Sequence, residues 1–123
     1  MSFTPYLENK LLGHVLTNTA YASPTTVYVA LYAGDPLNGG TETTGTGYAR
    51  QSASFSVTAS AGTNTNNVEY SAGSDWGIVN YAAIHDAISG GNMLISTGLQ
   101  TSRDIVTGDI IRFSIGDIDV TLT

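Results

Sequence analysis

The chain has 123 residues, no cysteine and a formal net charge of −6, and only 11% of its residues are charged. This length suits one domain with a single core, and the lack of cysteine excludes disulfides and thiolate metal sites. Binding to DNA or RNA requires clustered cations that neutralise phosphates, but the four cations here are isolated in the sequence, so we expect no nucleic-acid partner. They are Lys10, Arg50, Arg103 and Arg112.

No apolar run approaches the roughly 20 residues that a membrane-spanning helix requires. The N-terminal segment lacks the cationic and apolar regions of a signal peptide, and Glu8 and Lys10 interrupt it. We therefore expect no membrane partner and no signal-directed export.

Residues 4–17 predict the only helix. Thr4 can accept a hydrogen bond from the first turn, and Pro5 suits the first helical position because its missing N–H has no partner there. Apolar residues recur at helical spacing and predict one buried stripe. They are Tyr6, Leu7, Leu11, Leu12, Val15 and Leu16.

From residue 26 the pattern changes to that of strands. Residues 26–33 are apolar on both faces, which predicts a central strand. A Gly- and Thr-rich loop follows at 34–47. Apolar and polar side chains alternate along residues 48–58, which predicts a half-buried strand with Arg50 on its polar outer face. Residues 59–67 predict a polar turn region, and 68–71 a short strand.

The second half predicts a hairpin followed by further short strands. The hairpin motif covers residues 76–95, and residues 89–92 (SGGN) supply the positive φ angles of a turn. The returning arm is expected to end near Leu99. Strands at 105–106, 110–115 and 118–122 follow, with core positions at Ile111, Phe113, Ile115, Ile118, Val120 and Leu122.

Seven or eight short strands and one short N-terminal helix predict a mainly β fold. We expect a single domain over residues 1–123, built as a β-sandwich or jelly-roll-like barrel, with strands from about residue 26 to 122.

His85 and Asp86 superficially resemble a catalytic base with its orienting carboxylate. Neighbouring residues on a strand point to opposite faces, so the two cannot readily pair, and no nucleophile motif accompanies them. We interpret His85 as a surface or hairpin-end residue, and His14 as a partner for the helix C-terminus. We expect no catalytic residue.

Two further patterns imitate binding sites. Asp104, Asp109, Asp117 and Asp119 lie close in sequence but lack the spacing of a calcium loop, so solvated or turn-capping roles are favoured. Gly45 and Gly47 near Arg50 imitate a phosphate loop, but no strong strand precedes them and no helix follows, so we predict an ordinary loop. No cofactor and no metal are expected.

The tyrosines are the best candidates for a protein–protein interface. Tyr28, Tyr32 and Tyr81 would share amphipathic sheet surface, and tyrosine is enriched at interfaces. The alternative is that these rings fill a sheet face. We assign a candidate interface to Tyr28, Tyr32, Tyr48, Arg50 and Tyr81.

Several segments occur in the same order in a family of small tailed-bacteriophage and prophage proteins. The chain resembles this family over nearly its whole length, and its members are usually labelled phage tail fibre proteins. The resemblance implies a non-enzymatic virion component. The segments are residues 6–16, 25–36, 47–51, 76–79, 90–94, 108–113 and 116–122.

The resemblance leaves the place on the virion open. A fibre shaft is long and repetitive, whereas this chain is short and without repeats. We therefore favour a capsid decoration (cement) protein that binds the major capsid protein as a symmetric oligomer, with a trimer expected, because many weak contacts add through multivalency. The alternative is a tail adaptor or receptor-binding module, whose contacts would lie in loops 34–47 or 59–67.

Overall fold

The computed structural model describes residues 2–121. The helix forms as predicted: α1 spans Pro5–Leu16, and Leu7 donates its backbone N–H to the hydroxyl of Thr4. A single 3-10 turn covers Pro36–Asn38. The strands are β1 (Ser2–Phe3), β2 (Val27–Ala33), β3 (Thr41–Glu42), β4 (Gln51–Ala53), β5 (Phe55–Thr58), β6 (Ala61–Asn64), β7 (Val68–Ser71), β8 (Gly77–His85), β9 (Met93–Ile105), β10 (Ile110–Phe113) and β11 (Asp119–Thr121).

The strands form antiparallel sheets stacked in two layers. The main sheet has the order β1-β9-β8-β2-β3, and β4 also pairs with β2. The facing layer consists of a β7–β10 pair and a three-stranded β5–β6–β11 sheet. The core lies between the layers, where Val29 and Leu31 of the main sheet meet Val68, Tyr70 and Ile111. The prediction of a mainly β sandwich with one helix is therefore confirmed.

The prediction of a barrel is wrong, because the sheets stay open and no closed barrel forms among residues 2–121. The central position predicted for the strand at 26–33 is confirmed, since β2 pairs with β8 on one edge and with β3 and β4 on the other. The single-domain organisation of residues 1–123 stays a prediction, and Leu122 lies outside the described residues.

Several strand boundaries differ from the prediction, and β1 and β3 form where no strand is expected. The strand expected at 48–58 is divided at Ser54 into β4 and β5, and β6 occupies part of the predicted turn region. The two strands expected at 93–99 and 105–106 are one strand, β9. Its register with β8 jumps between Val79 and Tyr81, so both Val79 and Ala82 enter the main core. A bulge of this kind breaks strict alternation, which a sequence pattern cannot reveal.

The predicted apolar stripe of α1 is also wrong. Leu7 packs into a small cluster with Ile84 and Leu94, and Leu11 contacts that cluster. The side chains of Leu12, Val15 and Leu16 lie on another side of the helix and are exposed, the last two at 73% each. The helix therefore presents one apolar face to the protein and one to solvent. Similarly, Ile115 was expected in the core and is exposed.

Candidate interaction surfaces

His85 lies at the hairpin end, as predicted, but it is buried rather than on the surface. Its exposed fraction is 4%, and its Nε2 lies 3.0 Å from the hydroxyl of Tyr32, whose ring stacks against it. Its Nδ1 has no hydrogen-bond partner among residues 2–121. Burial, together with the nearby Arg50 charge, lowers the pKa of His85, because both disfavour the imidazolium.

Asp86 serves the loop that follows and does not orient His85. Its carboxylate accepts hydrogen bonds from the backbone N–H of Asn92 at 2.7 Å and from the Asn92 side chain at 3.1 Å. The backbone hydrogen bond is the main cause of the lowered pKa of Asp86, because it favours the ionised form. Asp86 therefore closes the hairpin loop and does not form a catalytic dyad with His85, as strand geometry predicts.

Arg50 points inward, so the prediction of a polar outer position for it is wrong. It is 8% exposed, and its guanidinium donates to both carboxylate oxygens of Glu42, at 2.8 and 2.9 Å. Its remaining nitrogen donates to the carbonyls of Ala87 and Gly90, at 3.0 and 2.9 Å. We call this set of contacts the Arg50 clamp. It ties the hairpin loop 86–92 to β3.

Tyr48 completes the Arg50 clamp from the core side. Its hydroxyl donates to Glu42 at 2.7 Å and accepts the backbone N–H of Leu31 at 3.1 Å. Burial raises the pKa of Tyr48, and the Glu42 carboxylate raises it further. Burial opposes ionisation of Glu42, but hydrogen bonds from Arg50 and Tyr48 outweigh it and hold the pKa of Glu42 below its ordinary value.

The five residues assigned to an interface therefore have different surroundings. Tyr32 and Arg50 are buried within the chain, and Tyr28, Tyr48 and Tyr81 are half-buried. Tyr28, Tyr32 and Tyr81 share one face of the main sheet, since Tyr32 pairs with Tyr81 and Tyr28 with His85. Tyr81 packs on the small cluster of Ala30, Tyr32 and Ala83. Their part in an interface stays a prediction.

The Gly45–Gly47 loop is a support for Trp76 and not a phosphate loop. The Trp76 indole donates to the Thr46 carbonyl at 3.0 Å, and its ring meets Tyr48 edge to face. Gly45 has φ +143°, and a Cβ there would lie 2.5 Å from the Trp76 ring. Glycine is required because the backbone passes directly against the indole.

The acidic residues near the C-terminus act mainly in turns. Asp109 accepts the N–H of Val106, Asp117 accepts the N–H of Ser114, and Asp119 accepts the Thr63 hydroxyl. The turn roles expected for Asp109 and Asp117 are therefore confirmed. Within residues 2–121, no group of three or more His, Asp or Glu side chains is arranged to hold a metal ion. No helix in the same range is long and apolar enough to cross a membrane.

A family model described as the podophage GP4 fiber I protein gp80 matches residues 2–121. The chain belongs to this family. It is thus a bacteriophage fibre protein and a virion component, as the resemblance implied. No curated protein matches the chain.

The family assignment also bears on whether the protein is an enzyme and on whether it belongs to the head or to the tail. The family is structural, which confirms the expectation of a non-enzymatic protein. It favours the tail-fibre alternative over capsid decoration, so the prediction of capsid decoration from a short chain without repeats is not supported. A fibre can contain compact non-repetitive modules, so those two features do not exclude a fibre role.

Proposed function

We propose that this protein is a compact module of a podophage tail fibre, which acts by binding other virion proteins. The family match over residues 2–121 carries this proposal. The open, edge-exposing sandwich and the solvent-facing apolar side chains of α1 agree with a protein that is completed by neighbours. Exposed apolar patches of this kind commonly mark sites of interaction with other proteins.

We further propose that the module is a symmetric homo-oligomer, with a trimer expected, in which copies meet through the outer face of α1. Leu12, Val15 and Leu16 form this face, at the spacing that places residues on one side of a helix. A helix that is apolar on opposite sides is typical of one covered on both. Charges near the face are few, since α1 has one carboxylate, Glu8, one ammonium, Lys10, and one imidazole, His14.

The position and copy number of the chain in a reconstruction of the whole virion test the fibre role. We expect density at the tail in a small number of copies. Hundreds of copies spread over the head shell would contradict the proposal and restore the capsid-decoration hypothesis.

Native mass spectrometry tests the oligomer separately. We expect a species of three 12.8 kDa chains, and a Leu16→Asp variant should release monomers. Ile110→Asp is the control, because Ile110 is also exposed but lies on β10, whose residues are outside the cluster that packs on α1. Equal dissociation by both variants, or a monomeric parent protein, would contradict the α1 interface.

A further inference from the structure

One side of the sandwich is open along β9. This strand pairs with β8 on one edge, but on its other edge it pairs only with β1, at Ile95 and Ser96. Across the opening lies β11, which pairs only with β6 among the described strands. From Thr97 onward, therefore, the outer edge of β9 has no strand beside it within residues 2–121.

The backbone groups at this edge alternate in direction. The N–H of Thr4 donates to the carbonyl of Leu94 at 2.9 Å, which shows that Leu94 presents its backbone to the outer edge. With a period of two, Ser96 does the same toward Ser2, with which it pairs, and Gly98 is the next residue to do so. Gly98 is thus the first position beyond β1 whose N–H and carbonyl face an incoming strand; the carbonyl also accepts the Thr97 hydroxyl at 3.3 Å and keeps a second lone pair for a new partner. Such an edge is a template for strand addition.

The opening beside this edge is a groove of about 670 Å³, within the usual range of ligand pockets. Apolar side chains from both layers line its interior, including Val29, Ile84 and Phe113. Its rim is polar, with Asp117 and Asp119 on the side of β11. The shape and lining suit a strand whose inward side chains are apolar and whose backbone bonds to β9.

We propose that this groove receives an extended segment of a different virion protein, which adds as a strand to β9 at Gly98 and places a lysine or arginine at Asp117 and Asp119. This deepens the proposed fibre function, on which it rests for the identity of the partner as a virion protein. A second copy of the chain is a poor occupant, because it is acidic and has only four cations, two of which form ion pairs within the chain. Strand addition is an established mode of recognition, in which main-chain hydrogen bonds supply affinity and alternate side chains supply specificity.

Synthetic peptides test the proposal by nuclear magnetic resonance on the ¹⁵N-labelled protein. The probes are two capped peptides of alternating valine and threonine, one flanked by lysines and the other by glutamates. We expect the lysine peptide to shift the Gly98 amide resonance and to slow its hydrogen exchange about tenfold or more, since a ladder hydrogen bond then protects it. The glutamate peptide should bind at least about threefold more weakly, and the difference should shrink at high salt.

Variants at Gly98 separate the backbone contact from side-chain effects. Gly98→Pro removes the outward N–H and is tolerated on an edge strand. Gly98→Ala is the matched control, because it keeps the N–H, and its Cβ would meet the Tyr81 ring at an ordinary 3.5 Å. We expect the proline variant to bind the lysine peptide about fivefold to tenfold more weakly, as the loss of one backbone hydrogen bond implies, and the alanine variant within about twofold of the parent.

An acidic-rim variant provides the second test and does not depend on how Gly98→Pro folds. The double change Asp117→Asn and Asp119→Asn keeps the oxygens that accept from Ser114 and Thr63. It should abolish the preference for lysine over glutamate peptides. Equal effects of the two Gly98 variants, an unchanged peptide preference, or no binding at millimolar peptide would each overturn the proposal.

Measurements at several protein concentrations test whether a second copy of the chain occupies the groove. Protection of the Gly98 amide that grows with protein concentration, without peptide, would show a second copy in the groove and overturn the proposal. These outcomes are independent of the fibre role: a virion map with the chain on the head would contradict that role while leaving peptide binding as measured, and failed peptide binding would leave a tail location intact.

Discussion

The side of the sandwich at the Arg50 clamp and the side at β9 differ in how their polar groups are satisfied. On the side of the Arg50 clamp, two large polar side chains that enter the interior have partners within the chain: the guanidinium bonds Glu42 and two loop carbonyls, and the Trp76 indole bonds Thr46. On the side of β9, the sheet ends in an edge with no paired strand among residues 2–121 from Thr97 onward, beside an open groove. The first side is therefore closed by interactions within the chain, whereas the edge of β9 and the outer face of α1 are the surfaces at which we propose association.

The largest expected effect is a loss of stability on replacing a buried leucine by alanine, compared with the same change at an exposed leucine. Leu31 is fully buried between the layers, so Leu31→Ala should lower the free energy of unfolding by about 2–5 kcal/mol. Leu16→Ala on the solvent face of α1 should change the stability of the monomer by less than about 0.5 kcal/mol. Chemical denaturation at low protein concentration measures both. Similar losses would mean that the outer face of α1 is packed within the monomer.

The Arg50 clamp is next in size. Arg50→Lys keeps the charge but loses the bidentate fork and the two carbonyl contacts, and we expect a loss of about 1.5–3 kcal/mol. The control is Arg112→Lys, because the Arg112–Glu69 pair is exposed and such pairs contribute about 0–1 kcal/mol. Denaturation of each variant, with and without Glu42→Gln, measures the coupling. Independent effects of Arg50→Lys and Glu42→Gln would contradict the clamp.

A smaller effect is expected at the glycine beneath Trp76. Gly45→Ala would place a Cβ 2.5 Å from the indole, whereas Gly39→Ala, also at positive φ, has no atom within 4 Å of its Cβ. Both should lose about 1 kcal/mol from backbone strain, and Gly45→Ala should lose more because the ring must shift. Near-ultraviolet circular dichroism should change only for Gly45→Ala, since the chain has a single tryptophan. Identical spectra would place the loop away from Trp76.

The smallest expected effect is a pH dependence from His85. Its folded-state pKa is below the unfolded value near 6.5, so the unfolded state binds more protons, and stability is lost as pH falls through about 6.5. The lowered pKa of Glu42 adds a loss only below about pH 4.5, so the range from 6.5 to 5 isolates the histidine. His85→Gln should flatten the slope of unfolding free energy there. An unchanged slope in His85→Gln would contradict this assignment.

Much of the local structure was predictable from residues alone. Thr4 and Pro5 define the start of α1, because capping depends on neighbouring atoms only. The two glycines of the hairpin loop adopt positive φ because they lack a Cβ, and β7 has the predicted bounds. The order of segments along the chain also carried the family resemblance, since it needs no three-dimensional information.

The tertiary structure alone decided which side of each element is inside. Arg50 alternates like an outward residue, but it turns inward because Glu42 and the hairpin loop, distant in sequence, supply its hydrogen bonds. The bulge between Val79 and Tyr81 changes which side chains of β8 face the core. The cluster beneath α1 includes Leu7 and Leu11 of the helix but not Leu12 or Leu16. Whether a sheet closes depends on how its edges meet. The open edge of β9 is therefore a property of the fold that no periodicity in the sequence contains.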